Sequence, residues 1–66
     1  MEVKYPNVKV SLVGKSGEAF AILGAVEEAM RRAGVNKADR DRYMDEATAG
    51  DYDALLQTTM KWVEVE

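Results

Sequence analysis

The tripeptide Gly14-Lys15-Ser16 stands between an alternating apolar segment and an amphipathic one, which is the local setting of a phosphate-binding loop. The full pattern needs a glycine five residues before Gly14, and Lys9 stands there. The chain is also expected to lack the parallel sheet and the second acidic motif that a nucleotidase requires. A plain turn accounts for the tripeptide, and its backbone N–H groups and Lys15 would hold at most a stray anion. Asp51-Tyr52-Asp53 matches the first two ligand positions of a calcium loop, but Leu55 and Leu56 stand where the third carboxylate and the obligatory glycine belong. Asp41 and Asp45 lie four residues apart and have no histidine or third ligand to complete a metal site.

Nucleophilic chemistry fares no better. Ser11, Ser16, Thr48, Thr58 and Thr59 have no partner base, because the chain contains neither histidine nor cysteine. Paired carboxylates for glycoside chemistry need a cleft, which 66 residues rarely enclose. The expectation is a protein that is not an enzyme and uses no cofactor and no metal.

The cluster with the best claim to binding is basic. Arg31, Arg32, Lys37, Arg40 and Arg42 fall on either side of a glycine turn at Gly34, in a helix–turn–helix arrangement. A recognition helix would not also carry Asp39, Asp41, Asp45 and Glu46, since phosphates repel carboxylates. The net charge of −3 argues the same way. An ordinary solvated helix with intrahelical pairs such as Arg42 with Glu46 is the simpler account. Nucleic-acid binding through these residues is the alternative expectation, not the leading one.

The elements that position these residues form an α+β fold. One domain spans 1–66. Val8, Val10 and Leu12 alternate with Lys9 and Ser11, predicting a half-buried strand over about 8–13, the end of an extended stretch from residue 2 that bends at Pro6. Phe20, Leu23, Val26 and Met30 recur at helical spacing over 18–33, with Gly34 as the stop. Gly24 in mid-helix implies close approach of another element. A second helix, 37–49, starts at an Asn36 cap, ends at Gly50 and has thin apolar content in Ala38, Tyr43, Met44 and Ala47. It should be the outer element, lying on the surface with one narrow apolar stripe inward. A third, 52–62, starts at an Asp51 cap and carries Leu55, Leu56, Met60 and Trp62. The tail Val63-Glu64-Val65-Glu66 alternates and can form a short strand beside the first, with Glu64 or Glu66 next to Lys9. The expected core is Val10, Leu12, Phe20, Leu23, Val26, Met30, Leu55, Leu56, Met60 and Trp62, with Trp62 locking the third helix to the strand.

The stretches Ala19-Phe20-Ala21-Ile22-Leu23-Gly24 and Ala47-Thr48-Ala49-Gly50-Asp51-Tyr52-Asp53-Ala54-Leu55-Leu56-Gln57-Thr58, followed by Trp62-Val63, resemble a family of short, uncharacterised proteins from bacterial genomes, phages and other mobile elements. The resemblance runs from Tyr5 to Glu66, and family members usually carry Asn where Glu18 stands. It implies a small accessory protein and brings no activity, cofactor or catalytic residue.

The expected function is therefore non-enzymatic: an interaction module that binds a protein partner, or a second copy of itself through the edge of the strand bearing Lys9 and Ser11. The chain opens without a basic and apolar leader, and no apolar run approaches the roughly 20 residues of a membrane span, so the expectation is a cytoplasmic protein without membrane contact.

Overall fold

The computed structural model describes residues 3–11 and 19–66. Leu12, Gly14-Lys15-Ser16 and Glu18 lie outside these residues. The elements run β1 (Tyr5–Val10), α1 (Ala19–Arg32), α2 (Lys37–Ala47), α3 (Tyr52–Trp62) and β2 (Val63–Val65). The arrangement is α+β, as the sequence predicts.

Polar chemistry at the helix ends sets their limits. Met30 O accepts from Val35 N–H and Arg31 O accepts from Gly34 N–H, the paired bonds of a glycine-stopped helix. Gly34 has φ +85, a left-handed conformation that a Cβ would strain, and Val35 then turns inward and is buried. Arg31 and Arg32 sit in the last turn of α1, where the helix dipole favours cations. Asn36 Oδ1 accepts from Asp39 N–H to start α2, and Asp51 Oδ1 accepts from Ala54 N–H to start α3. Helix α2 stops at Ala47, short of Gly50, because Thr48 caps it and its hydroxyl bonds back to Met44 O.

The two strands are parallel, with Lys9 beside Glu64 and Val10 beside Val65. The register jumps between Tyr5↔Val63 and Lys9↔Glu64, so β1 advances four residues while β2 advances one. Pro6, which has no N–H to offer a ladder, sits in that bulge. The strand therefore begins at Tyr5 rather than Val8, and Ser11 follows its end. Val8 and Val10 are buried and Lys9 and Ser11 exposed, as their alternation predicts.

The core joins Val8, Val10, Ile22, Leu23, Val26, Met30, Tyr43, Leu55, Trp62 and Val63. Three expected core residues sit elsewhere. Phe20 is 86% exposed, Met60 is 48% exposed and Leu56 is half-buried against the core edge. At 100° per residue Met60 lies about 140° around α3 from Leu55, and Phe20 about 120° around α1 from Val26. Neither faces inward. Helix α2 turns a narrow apolar stripe inward, and Tyr43 of that stripe, which the expected core left out, reaches the centre of the molecule, fully buried. Its hydroxyl bonds Thr59 Oγ1 at 2.7 Å, and Thr59 donates its own proton to Leu55 O at 2.9 Å, so Tyr43 is the donor to Thr59. Trp62 joins three elements. It stacks on Tyr5 at 6.1 Å, meets Tyr43 edge-on at 6.0 Å, and donates from Nε1 to Glu46 Oε1 at 2.9 Å.

Two expectations follow. Among the described residues nothing lies within 4 Å of a Cβ built on Gly24, which is exposed and has no close neighbour there. Gly24→Ala should therefore stabilise the fold by about 1 kcal/mol, raising the melting temperature by about 4–8 °C for a domain of this size; a calorimetric scan checks it. Burial raises the Tyr43 phenol above its ordinary value, and Tyr5 is raised too, chiefly by its hydrogen bond to Asp39. A raised folded-state value favours the neutral form, so stability should hold up to about pH 10 and fall as pH climbs through the folded-state values. Urea unfolding from pH 8 to about 11.5 should show this decline, and Tyr43→Phe should flatten it.

Candidate functional site

The basic residues singled out in the sequence do not assemble into a positive face. Arg31 Nη2 bonds Glu28 Oε1 at 2.6 Å, and Arg32 Nε bonds Glu28 Oε2 at 3.1 Å. The Arg31 guanidinium beside Glu28 holds that carboxyl below its usual range. Lys37 Nζ pairs with Asp41 at 2.8 Å, the i,i+4 geometry of one helix face. Arg40, the most enclosed of the five, bridges two helices, with Nη1 at 2.7 Å from Glu27 and Nε donating to Val35 O at 3.2 Å. Its work is to fix α2 against α1. Arg42 is exposed and makes no ion pair among the described residues, so the expected pair with Glu46 does not form; Glu46 bonds Trp62 instead. Exposed pairs are worth little individually. Their carboxylates nevertheless remain inside the cluster and oppose a phosphate whether or not the pairs open.

Lys9 and Ser11 are exposed on the strand side of the molecule, apart from the arginines. Glu64 is Lys9's neighbour across the sheet. Strand β2 covers one edge of β1, and the other edge has no strand partner among the described residues.

The aromatic cluster around Trp62 lies at the β1–α3 junction. Lys4 Nζ stands 4.5 Å above the Trp62 ring, and Tyr5 donates to Asp39 Oδ2 from beside it. Arg42 opposes the rise in Tyr5's proton affinity that this bond causes. These contacts tie α2, α3 and β1 together, and their polar groups are mutually satisfied.

The feature that sequence reasoning missed is a cleft of about 270 Å³ between the first turn of α1 and the α2–α3 turn. Phe20 and Leu23 form one wall, and Ala47, Gly50, Tyr52 and Leu55 the other. Gly50 is fixed there by packing, because a Cβ on it would stand 2.8 Å from Ala54 Cβ. Tyr52 is 41% exposed and Phe20 far more so. Both occupy first turns, Phe20 at the second residue of α1 and Tyr52 at the first of α3. A helix start projects past the neighbours that bury the rest of its apolar face. Phe20's angular offset from Val26 was the available signal, and the periodic pattern of its neighbours masked it.

Among the described residues no group of three or more acidic side chains converges as a metal site would require, and no helix is long and apolar enough to cross a membrane. No family model, curated protein or solved structure matches the chain.

Phe20 and Leu23, three residues apart on one helix, should separate surface from core. Leu23→Ala should cost about 2–5 kcal/mol, whereas Phe20→Ser should cost no more than about 0.5 kcal/mol. Urea midpoints followed by circular dichroism measure both.

Proposed function

We propose that the chain is a non-enzymatic interaction module, acting in the cytoplasm as an accessory protein of a phage or mobile element by docking a protein partner on the Phe20–Tyr52 cleft. The observation that carries it is Phe20: a large aromatic side chain, 86% exposed, on the wall of an apolar cleft. Phe20 and Tyr52 line the same cleft, so their exposed apolar surface lies together, which supports an interaction site there. The lack of histidine and cysteine supports the non-enzymatic half, and the resemblance to mobile-element proteins supports the setting.

Nucleic-acid binding is weaker, because four of the five clustered cations already face carboxylates. Self-association through the open edge of β1 is weaker too. Exposed Lys9 guards the strand.

Photoreactive phenylalanine at position 20, 52 or 64, crosslinked in cells, tests the proposal. Discrete adducts at 20 and 52 but not at 64 are expected. Their absence at both cleft positions overturns it, and a salt-sensitive gel shift abolished by replacing Arg31, Arg32 and Arg42 would favour the nucleic-acid alternative.

A further inference from the structure

Helix α3 carries an exposed apolar row of its own, and the charges beside that row say what covers it. Tyr52, Leu56 and Met60 stand four residues apart, one of the i,i+4 ridges by which helices pack. Tyr52 is 41% exposed, Met60 48% exposed and Leu56 half-buried against the core. Leu55, Thr59 and Trp62 already form the inward side of α3, so this row runs along the margin of the packed face with its outer half in water. Tyr52 also lines the cleft described above, whereas Leu56 and Met60 do not.

The neighbouring row is Asp53, Gln57 and Lys61, each one residue after a member of the apolar row and each exposed. Along the helix it reads negative, neutral, positive. Neither Asp53 nor Lys61 makes an ion pair among the described residues. The helix dipole favours these charges at these ends in any helix, but it does not account for the apolar row beside them. A row of this order complements itself when reversed. In an antiparallel pair of α3 helices related by a two-fold axis, the same row of each copy lies on the same side of the contact. Asp53 then meets the partner subunit's Lys61, and Lys61 meets the partner subunit's Asp53. Leu56 meets its own counterpart near the axis. Parallel pairing would set like charges against each other, which disfavours it.

We propose that a second copy of this chain covers this face, α3 packing antiparallel on α3 across a two-fold axis close to Leu56 and Gln57. One patch serves both copies and closes on itself, as a two-fold contact requires. A cysteine-free chain of 66 residues gains from such a contact, because its own core is small. Helix α3 is about 16 Å long, so the contact falls below the standard interface size and the dimer is weak and concentration-dependent. Phe20 takes no part in it, and the proposal does not rest on the cleft reading.

Sedimentation equilibrium of the full chain up to about 1 mM tests it. The parent should pass from monomer towards dimer. Met60→Ser should abolish that passage, with circular dichroism confirming the fold, and Lys61→Glu should weaken the dimer about fivefold or more. Adding Asp53→Lys to Lys61→Glu restores opposite charges across the contact and should recover the parent's dimer. Phe20→Ser should leave it unchanged. Because the chain has no cysteine, Gln57→Cys places a single thiol beside the axis. Under mild oxidation it should form linked dimers about tenfold faster than Ala33→Cys, an exposed position on α1. A parent that stays monomeric at about 1 mM overturns the proposal. So do equal crosslinking rates at positions 57 and 33, or a folded charge-swapped chain that fails to dimerise. A dimer that Phe20→Ser dissolves also overturns it, since the second copy would then sit on the cleft.

Discussion

Trp62 holds the molecule together. It is the last residue of α3 and stands directly before β2, so fixing its indole also fixes where Val63 begins to pair. Three strand residues supply too few hydrogen bonds to hold a parallel pair in water. The indole supplies the rest. Tyr5 covers one face, Lys4 adds its charge above the ring, Tyr43 meets it edge-on, and Glu46 takes its N–H. Aromatic pairs of this geometry contribute about 0.5–1.5 kcal/mol each beyond burial. A ring that touches β1, α2 and α3 together makes their packing interdependent.

Around that centre the polar contacts act as braces. Tyr5 to Asp39 ties β1 to α2, Arg40 to Glu27 ties α2 to α1, and Tyr43 to Thr59 ties α2 to α3. Helix α2 takes part in all three, although it is the most polar helix of the chain. Its inward-turned residues are Asp39, Arg40, Tyr43, Met44 and Ala47, and the two charged ones are the braces. Glu27, Glu28 and Asp41 pair with Arg31, Arg32, Lys37 and Arg40, while the acids after residue 43 have few opposite charges nearby in sequence. Residues 43–66 hold six acidic residues and one lysine, a formal charge of −5, against +2 for residues 1–42 with eight basic and six acidic residues, so the acidity is concentrated in the C-terminal part of the chain.

Much of this was legible in the sequence. The caps at Asn36 and Asp51 and the stop at Gly34 depend on residues one to four positions away, so local chemistry suffices to read them. The tail strand and its Lys9–Glu64 neighbours were readable from alternation. The depth of Tyr43 was not, because Asp39 and Arg40 on the same face imitate a solvated stripe and their partners lie on other elements. The start of β1 was missed because the bulge at Pro6 interrupts the period that a strand is recognised by. At the candidate site the arginine cluster was visible, but its neutralisation by Glu27 across the α1–α2 junction was not. The cleft was hidden altogether, since it exists only where two helix starts, distant in sequence, come side by side.

The parallel pairing of β1 with β2 has a consequence for how the domain comes together. The contact between Val10 and Val65 closes a loop that contains every helix. The entropy of closing such a loop must be met before the sheet contributes anything, and neither strand can begin on a local hairpin. The helices have local contacts and can flicker into place early, but Trp62 finds Tyr5 only when the ends of the fold have met. Ordering should therefore arrive as one late, cooperative event, slower than in a helical bundle of equal length. A strand of three residues acts as the latch on the whole molecule.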